Sequence, residues 1–69
     1  MRNDIYLKEM GEKIRTIRRA NKITIRQLGK MCGLDYSGIN RIELGQISSQ
    51  ILTLKNIADK LNVDVKDFI

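Results

Sequence analysis

The chain has no proline, no histidine and no tryptophan, and only one cysteine and one phenylalanine. Without proline, nothing forces a break in a helix. Without histidine the commonest general base is missing. The lone cysteine has no histidine to share a metal with and no second thiol to oxidise against. No apolar run approaches the ~18 residues of a membrane span, and the opening MRNDIYLKEM lacks the apolar core of an export signal. A reduced thiol without an export signal fits the cytoplasm. With 69 residues there is material for one hydrophobic core, so a single domain over 1–69 is expected, residues 1–10 being a less ordered start of the first helix. A chain this short buries roughly 60% of its unfolded surface, so close packing or dimerisation must add support.

What is abundant is positive charge. The chain holds 13 Lys and Arg against 8 Asp and Glu, a net charge of +5. The excess is local: Lys13, Arg15, Arg18, Arg19, Lys22, Arg26 and Lys30 follow one another with no acid between them, whereas the part after Glu43 is near neutral. A concentrated positive field favours a polyanion, because each neutralised phosphate releases counterions. The plainer alternative for such a run is a solvated face.

The stretch from Thr24 to Gly45, TIRQLGKMCGLDYSGINRIELG, organises the rest. Thr24 is a good N-cap, and Gln27 three residues on completes a capping box. Leu28, Cys32 and Leu34 give an inward face. Gly33 can take a positive φ and so end a helix within one residue. Asp35 is a second N-cap, and Ile39 and Ile42 repeat the inward face. Helices over 24–32 and 35–44 with a glycine turn between them have the layout of a DNA-binding helix-turn-helix, whose second helix enters the major groove.

Around this pair, the spacing of Leu7, Met10, Ile14 and Ile17 predicts a first helix over 4–20, capped by Asn3 or Asp4. Asn21 is the residue expected to turn left-handed at its end, and Ile23 stands where a hydrophobic staple would pack. Ile51, Leu54, Ile57, Ala58 and Leu61 mark a fourth helix. Asp64 caps a last turn that brings Val65 and Phe68 under the core. There is no strand pattern, repeat or low-complexity segment. The expected fold is all-α, a compact five-helix bundle.

No catalytic residue emerges. Cys32 falls at a core position and reads as a small buried hydrophobe. The five glycines are scattered at turns rather than gathered in a phosphate loop, and Asp64 with Asp67 fits a cap. No enzyme, no cofactor and no metal are expected. The apolar face of residues 5–20 is needed to close the core, which argues against a membrane-surface helix.

From Gly11 to Ile69 the chain resembles the phage-repressor type of helix-turn-helix domain, the Cro/cI-like or XRE family. The matching segments are IRTIRR, ITIRQLGKMCGL, INRIELG and the closing LKNIADKLNVDVKDFI. The resemblance implies a lambda-repressor-like bundle that binds double-stranded DNA as a dimer and regulates transcription. It assigns base reading to Tyr36, Ser37, Asn40 and Arg41. Arg41 suits guanine, because its fork can hold O6 and N7 together, and Asn40 suits adenine. Simple helix exposure for Arg41 and packing at the turn for Tyr36 are the structural alternatives. The resemblance also implies a partly buried ion pair between Arg18 and Glu43. A charge beside the core positions Ile17 and Ile42 needs a partner in any case.

The chain departs from the family pattern in places. Ile25 stands where a phosphate-holding glutamine is common, Gly29 where a small alanine is common and Lys22 where a glycine is common. The segment after the third helix, with Leu44, Gln46, Ser48 and Ser49, carries no charge. Phosphate contacts are therefore expected at Lys13, Arg15, Thr24, Arg26 and Lys30. The alternative is a protein-interaction module, such as an antitoxin or an anti-repressor partner, with weakened DNA binding. A homodimer is expected through the C-terminal end, Val63 to Ile69, with the loop after the third helix, and no small-molecule effector is expected.

Overall fold

The apolar periodicity sorts into α1 (Arg2–Ala20), α2 (Ile25–Cys32), α3 (Tyr36–Glu43) and α4 (Ile51–Lys60), followed by one 3-10 turn, Val65–Asp67, in the computed structural model. The structure describes the backbone from Arg2 to Ile69 and the side chains from Ile5. The expected fifth helix is thus only a 3-10 turn. Its apolar residues, Val65 and Phe68, are three apart, which is the repeat of that tighter helix. Asp67 also accepts from the Asp64 backbone N–H at 3.2 Å, which closes the turn. The first helix starts at Arg2, ahead of Asn3 and Asp4, so neither caps it; their side chains lie outside the described residues.

All four helices end in the same way. The residue after the last turn adopts a left-handed φ, at Lys22 (58°), Gly33 (70°), Gly45 (72°) and Asn62 (61°). The following N–H then reaches back five residues: Ile23 to Arg18, Leu34 to Gly29, Gln46 to Arg41 and Val63 to Ala58, at 2.8–3.2 Å. This Schellman closure satisfies carbonyls that would otherwise be orphaned, and it reverses the chain sharply enough for short helices to fold back on each other. The left-handed residue after α1 is Lys22, not Asn21. Asn21 is held in the helical register, its side-chain amide donating to the Ile17 carbonyl at 2.8 Å. The capping box at α2 is formed as its sequence dictates: Gln27 N–H donates to Thr24 Oγ1 (3.1 Å) and Thr24 N–H to Gln27 Oε1 (2.8 Å).

The core draws on every helix: Met10 and Ile14 from α1, Leu28 and Cys32 from α2, Ile39 and Ile42 from α3, and Leu54, Ile57 and Ala58 from α4, with Leu61 and Phe68 closing the base. Each fully buried Ile, Leu or Phe contributes about 1.5–3 kcal/mol. Leu34, read from sequence as inward, is 38% exposed instead. The left-handed turn at Gly33 carries the chain outward before α3 begins. At Gly29 the turn into α3 folds back against α2, since a Cβ there would lie 2.8 Å from the Leu34 carbonyl oxygen and 3.3 Å from the Tyr36 backbone nitrogen. Among the described residues no helix is long and apolar enough to cross a membrane, and no cluster of side chains is fit to hold a metal ion.

Candidate nucleic-acid interface

Helix α3 buries Ile39, Ile42 and Glu43. With 3.6 residues per turn, that leaves Tyr36, Ser37, Asn40, Arg41 and Leu44 together on the opposite face, and all five are exposed. The four residues expected to read bases therefore share one outward stripe at the head of the helix. Asp35 precedes them in the extended conformation of an N-cap. Its carboxylate does not take a backbone N–H, however; it accepts the Ser37 hydroxyl at 2.8 Å. With its proton engaged there, the Ser37 hydroxyl presents oxygen lone pairs to solvent.

Two grooves bearing cations border this stripe. One is lined by Arg15, Arg19 and Lys22 of α1 and its end, by Thr24 and Ile25, and by Asn40 and Leu44 of α3. The other is lined by Arg26, Gln27 and Lys30 of α2, with Asp35 and Tyr36. In the second groove the Arg26 guanidinium lies over the Tyr36 ring, 4.4 Å from its centroid, a cation–π contact that orders both side chains. Tyr36 is thus anchored on one face while 43% exposed.

Arg15, Thr24, Arg26 and Lys30 all stand beside the stripe. Lys13 does not. Two residues before Arg15, it points roughly 160° away around α1 and shares a groove with Glu9, Glu12 and Asp67. Arg19 and Lys22 line the first groove, although sequence reasoning did not assign them to phosphate. The signal was present, since Arg15, Arg19 and Lys22 stand at i, i+4 and i+7. Ile25 is half-buried against the core, which explains an apolar residue at the start of α2.

Beneath the stripe, Arg18 and Glu43 meet in a bidentate pair. Arg18 Nε donates to Glu43 Oε2 at 2.7 Å and Nη2 to Oε1 at 3.0 Å. Nη1 donates to the Ile23 carbonyl at 2.9 Å. The two residues are only 8% and 6% exposed, and among the described residues no buried side-chain polar atom lacks a partner. A fork that fills both carboxylate oxygens is the geometry in which burying two charges is tolerable.

The geometry has counterparts among known proteins. The helix-turn-helix family model matches residues 14–68. The HTH-type transcriptional repressor RghR of Bacillus subtilis is 33% identical over 58 residues, 83% of this chain and 43% of its own length. The chain therefore spans less than half of that relative. The crystal structure of the restriction-modification controller protein C.AhdI from Aeromonas hydrophila superposes with a TM-score of 0.88 at 24% identity, covering 91% of this chain and 96% of that one. A helix-turn-helix family transcriptional regulator from Vibrio cholerae also gives 0.88, at 20% identity, covering 96% of this chain and 37% of that one. Both likenesses speak to the fold. With the matched model extending from the last two turns of α1 through the closing turn, the chain belongs to the helix-turn-helix family, in its Cro/cI-like branch.

Proposed function

We propose that the chain is a sequence-specific double-stranded DNA-binding transcriptional regulator that lays α3 in the major groove. One observation carries this reading: an exposed stripe of hydrogen-bonding side chains on α3 is bordered by two grooves bearing cations, one meeting it at Tyr36 and the other at Asn40 and Leu44. A helix fits the major groove, roughly 12 Å wide, and phosphates line both rims of that groove. Arg41 and Asn40 read base edges, and Ser37 accepts from a base or takes no part. Arg15, Arg19, Lys22, Arg26 and Lys30 hold the backbone, and Arg26 is set in place by Tyr36.

A stripe this short reads few base pairs, so the chain acts as a two-fold dimer on a palindrome with half-sites one helical turn apart. The dimer surface in this reading is the C-terminal end with the loop after α3. Ile69 is 67% exposed and Ile47 38%, whereas Phe68 is sealed in the core and unavailable to a partner.

The test is selection of bound duplexes from a random library, repeated with Arg41→Ala. Support is a recovered palindrome whose preference relaxes at one symmetric base pair in the variant. Failure to enrich any duplex at low salt would favour the protein-interaction module instead.

A further inference from the structure

Two residues beside the readout stripe are the wrong way round for the fold. Gly38 lies inside α3 with ordinary helical φ, and a Cβ built on it would meet nothing within 4 Å. The other glycines each have a reason in the structure. Gly33 and Gly45 take positive φ, and a Cβ on Gly11, Gly29 or Gly45 would run into neighbouring atoms closer than 3.0 Å. Alanine at 38 would fit the space and lower the conformational entropy lost on folding. Lys22 is the converse. It holds a left-handed position, φ 58°, where a side chain is strained and glycine is not. Alanine and glycine respectively would serve the fold better, and the two sites border the stripe from opposite edges. Lys22 lines the groove that reaches Asn40, and the half-buried Gly38 lies about 60° around α3 from Arg41.

We infer that both identities serve DNA contact: Gly38 as the point where the α3 backbone comes closest to the groove wall, and Lys22 as a phosphate contact held out by its left-handed turn. The inference rests on the DNA-binding reading above; it adds Gly38 to it and gives the reason a lysine stands at position 22. A Cβ at 38 holds the helix off the DNA and costs base contacts. Removing the Lys22 ammonium costs one phosphate and leaves base reading alone.

The experiment compares Gly38→Ala, Lys22→Gly and Lys22→Asn with the parent chain, by thermal melting and by titration onto a duplex selected with the parent and onto a random duplex. Gly38→Ala should raise Tm by roughly 2–8 °C. It should weaken binding to the selected duplex on the order of 10-fold, the worth of one good base contact, with the salt slope unchanged. Lys22→Gly should likewise raise Tm. Lys22→Asn, which tolerates the left-handed turn, should leave Tm near the parent's. Both Lys22 variants should lower the salt slope by about 0.9 on either duplex. If Gly38→Ala melts higher and binds equally well, or if the Lys22 variants keep the parent slope, the corresponding assignment is overturned. If neither Gly38→Ala nor Lys22→Gly gains stability, the premise that the fold disfavours these residues is wrong. A parent chain that selects no duplex overturns the DNA-binding reading itself, and this inference with it.

Discussion

Arg18→Ala should come close to unfolding the domain, and Arg26→Ala should not. Both are arginines in one basic run, and only burial and partners separate them. Arg18 makes two charge-assisted bonds to Glu43 and one to the Ile23 carbonyl, with its side chain 10% exposed and that of Glu43 3%. Truncating it leaves a buried carboxylate without its cation, a loss of about 3–5 kcal/mol. A 69-residue domain has a total stability of roughly 3–10 kcal/mol. At about 4–8 °C per kcal/mol, Tm falls by something like 12–40 °C. Arg26 gives up an exposed cation–π contact of about 0.5–1 kcal/mol, a shift of only a few degrees. Circular-dichroism melts of the two variants decide the matter. A companion variant sharpens it: Arg18→Met with Glu43→Leu removes both charges and should recover most of the loss, because the penalty is the unpaired charge rather than the missing bond. Equal melting temperatures for Arg18→Ala and Arg26→Ala would refute the reasoning. So would a double variant as unstable as the sum of its parts.

Asn56 of α4 donates to the Cys32 carbonyl at 2.9 Å, tying α4 to the end of α2; Asn56→Ala should cost about 1–3 kcal/mol in urea denaturation, leaving that carbonyl unpaired. Arg19→Ala should lower the salt dependence of DNA binding by about 0.9 in slope while Lys13→Ala leaves it unchanged, and the reverse order would place the interface on the wrong side of α1. Burial pushes the Cys32 thiol pKa up, with Lys60 pulling it the other way. The folded chain therefore holds that proton more tightly than the unfolded one. The associated stability is intact below the unfolded thiol's pKa of about 8.5 and is lost as pH rises above it. Urea midpoints from pH 7.5 to 9.5 should decline more steeply for the parent than for Cys32→Ala.

The parts legible in the sequence were those that local rules determine. Apolar spacing located all four helices, Thr24 with Gln27 announced a capping box, and Gly33 announced the reversal. What escaped depended on direction. Leu34 has the right period to be inward, but the left-handed residue before it re-aims the chain, and period alone carries no memory of that turn. Lys22 against Asn21 was decided by a side-chain amide closing on Ile17, a bond that propensity cannot foresee. Lys13 and Arg15 look alike in a charge run and face opposite ways on a helix. The bond from Asn56 to Cys32 spans 24 positions and has no local signature at all.

The basic run also shows why net charge is a poor guide to a surface. One of its cations, Arg18, is cancelled inside the protein by Glu43. Lys13 borders acids on the far side of α1. Arg26 is drawn onto Tyr36. Arg15, Arg19, Lys22 and Lys30 are exposed and line the grooves beside α3. The buried member organises the others. Through its three bonds Arg18 joins the last turns of α1, the connection at Ile23 and the end of α3. Arg15, Arg19 and Lys22 lie on the first of these segments or at its edge, and Asn40 lies one turn from Glu43 on the last. In the proposed DNA-binding reading, the distance between the cations of α1 and the Asn40 amide is therefore held by a buried network apart from the contacting side chains. A rigid register of that kind is what few contacts require, because a reader with so short a helix loses a large share of its specificity to an ångström of slack.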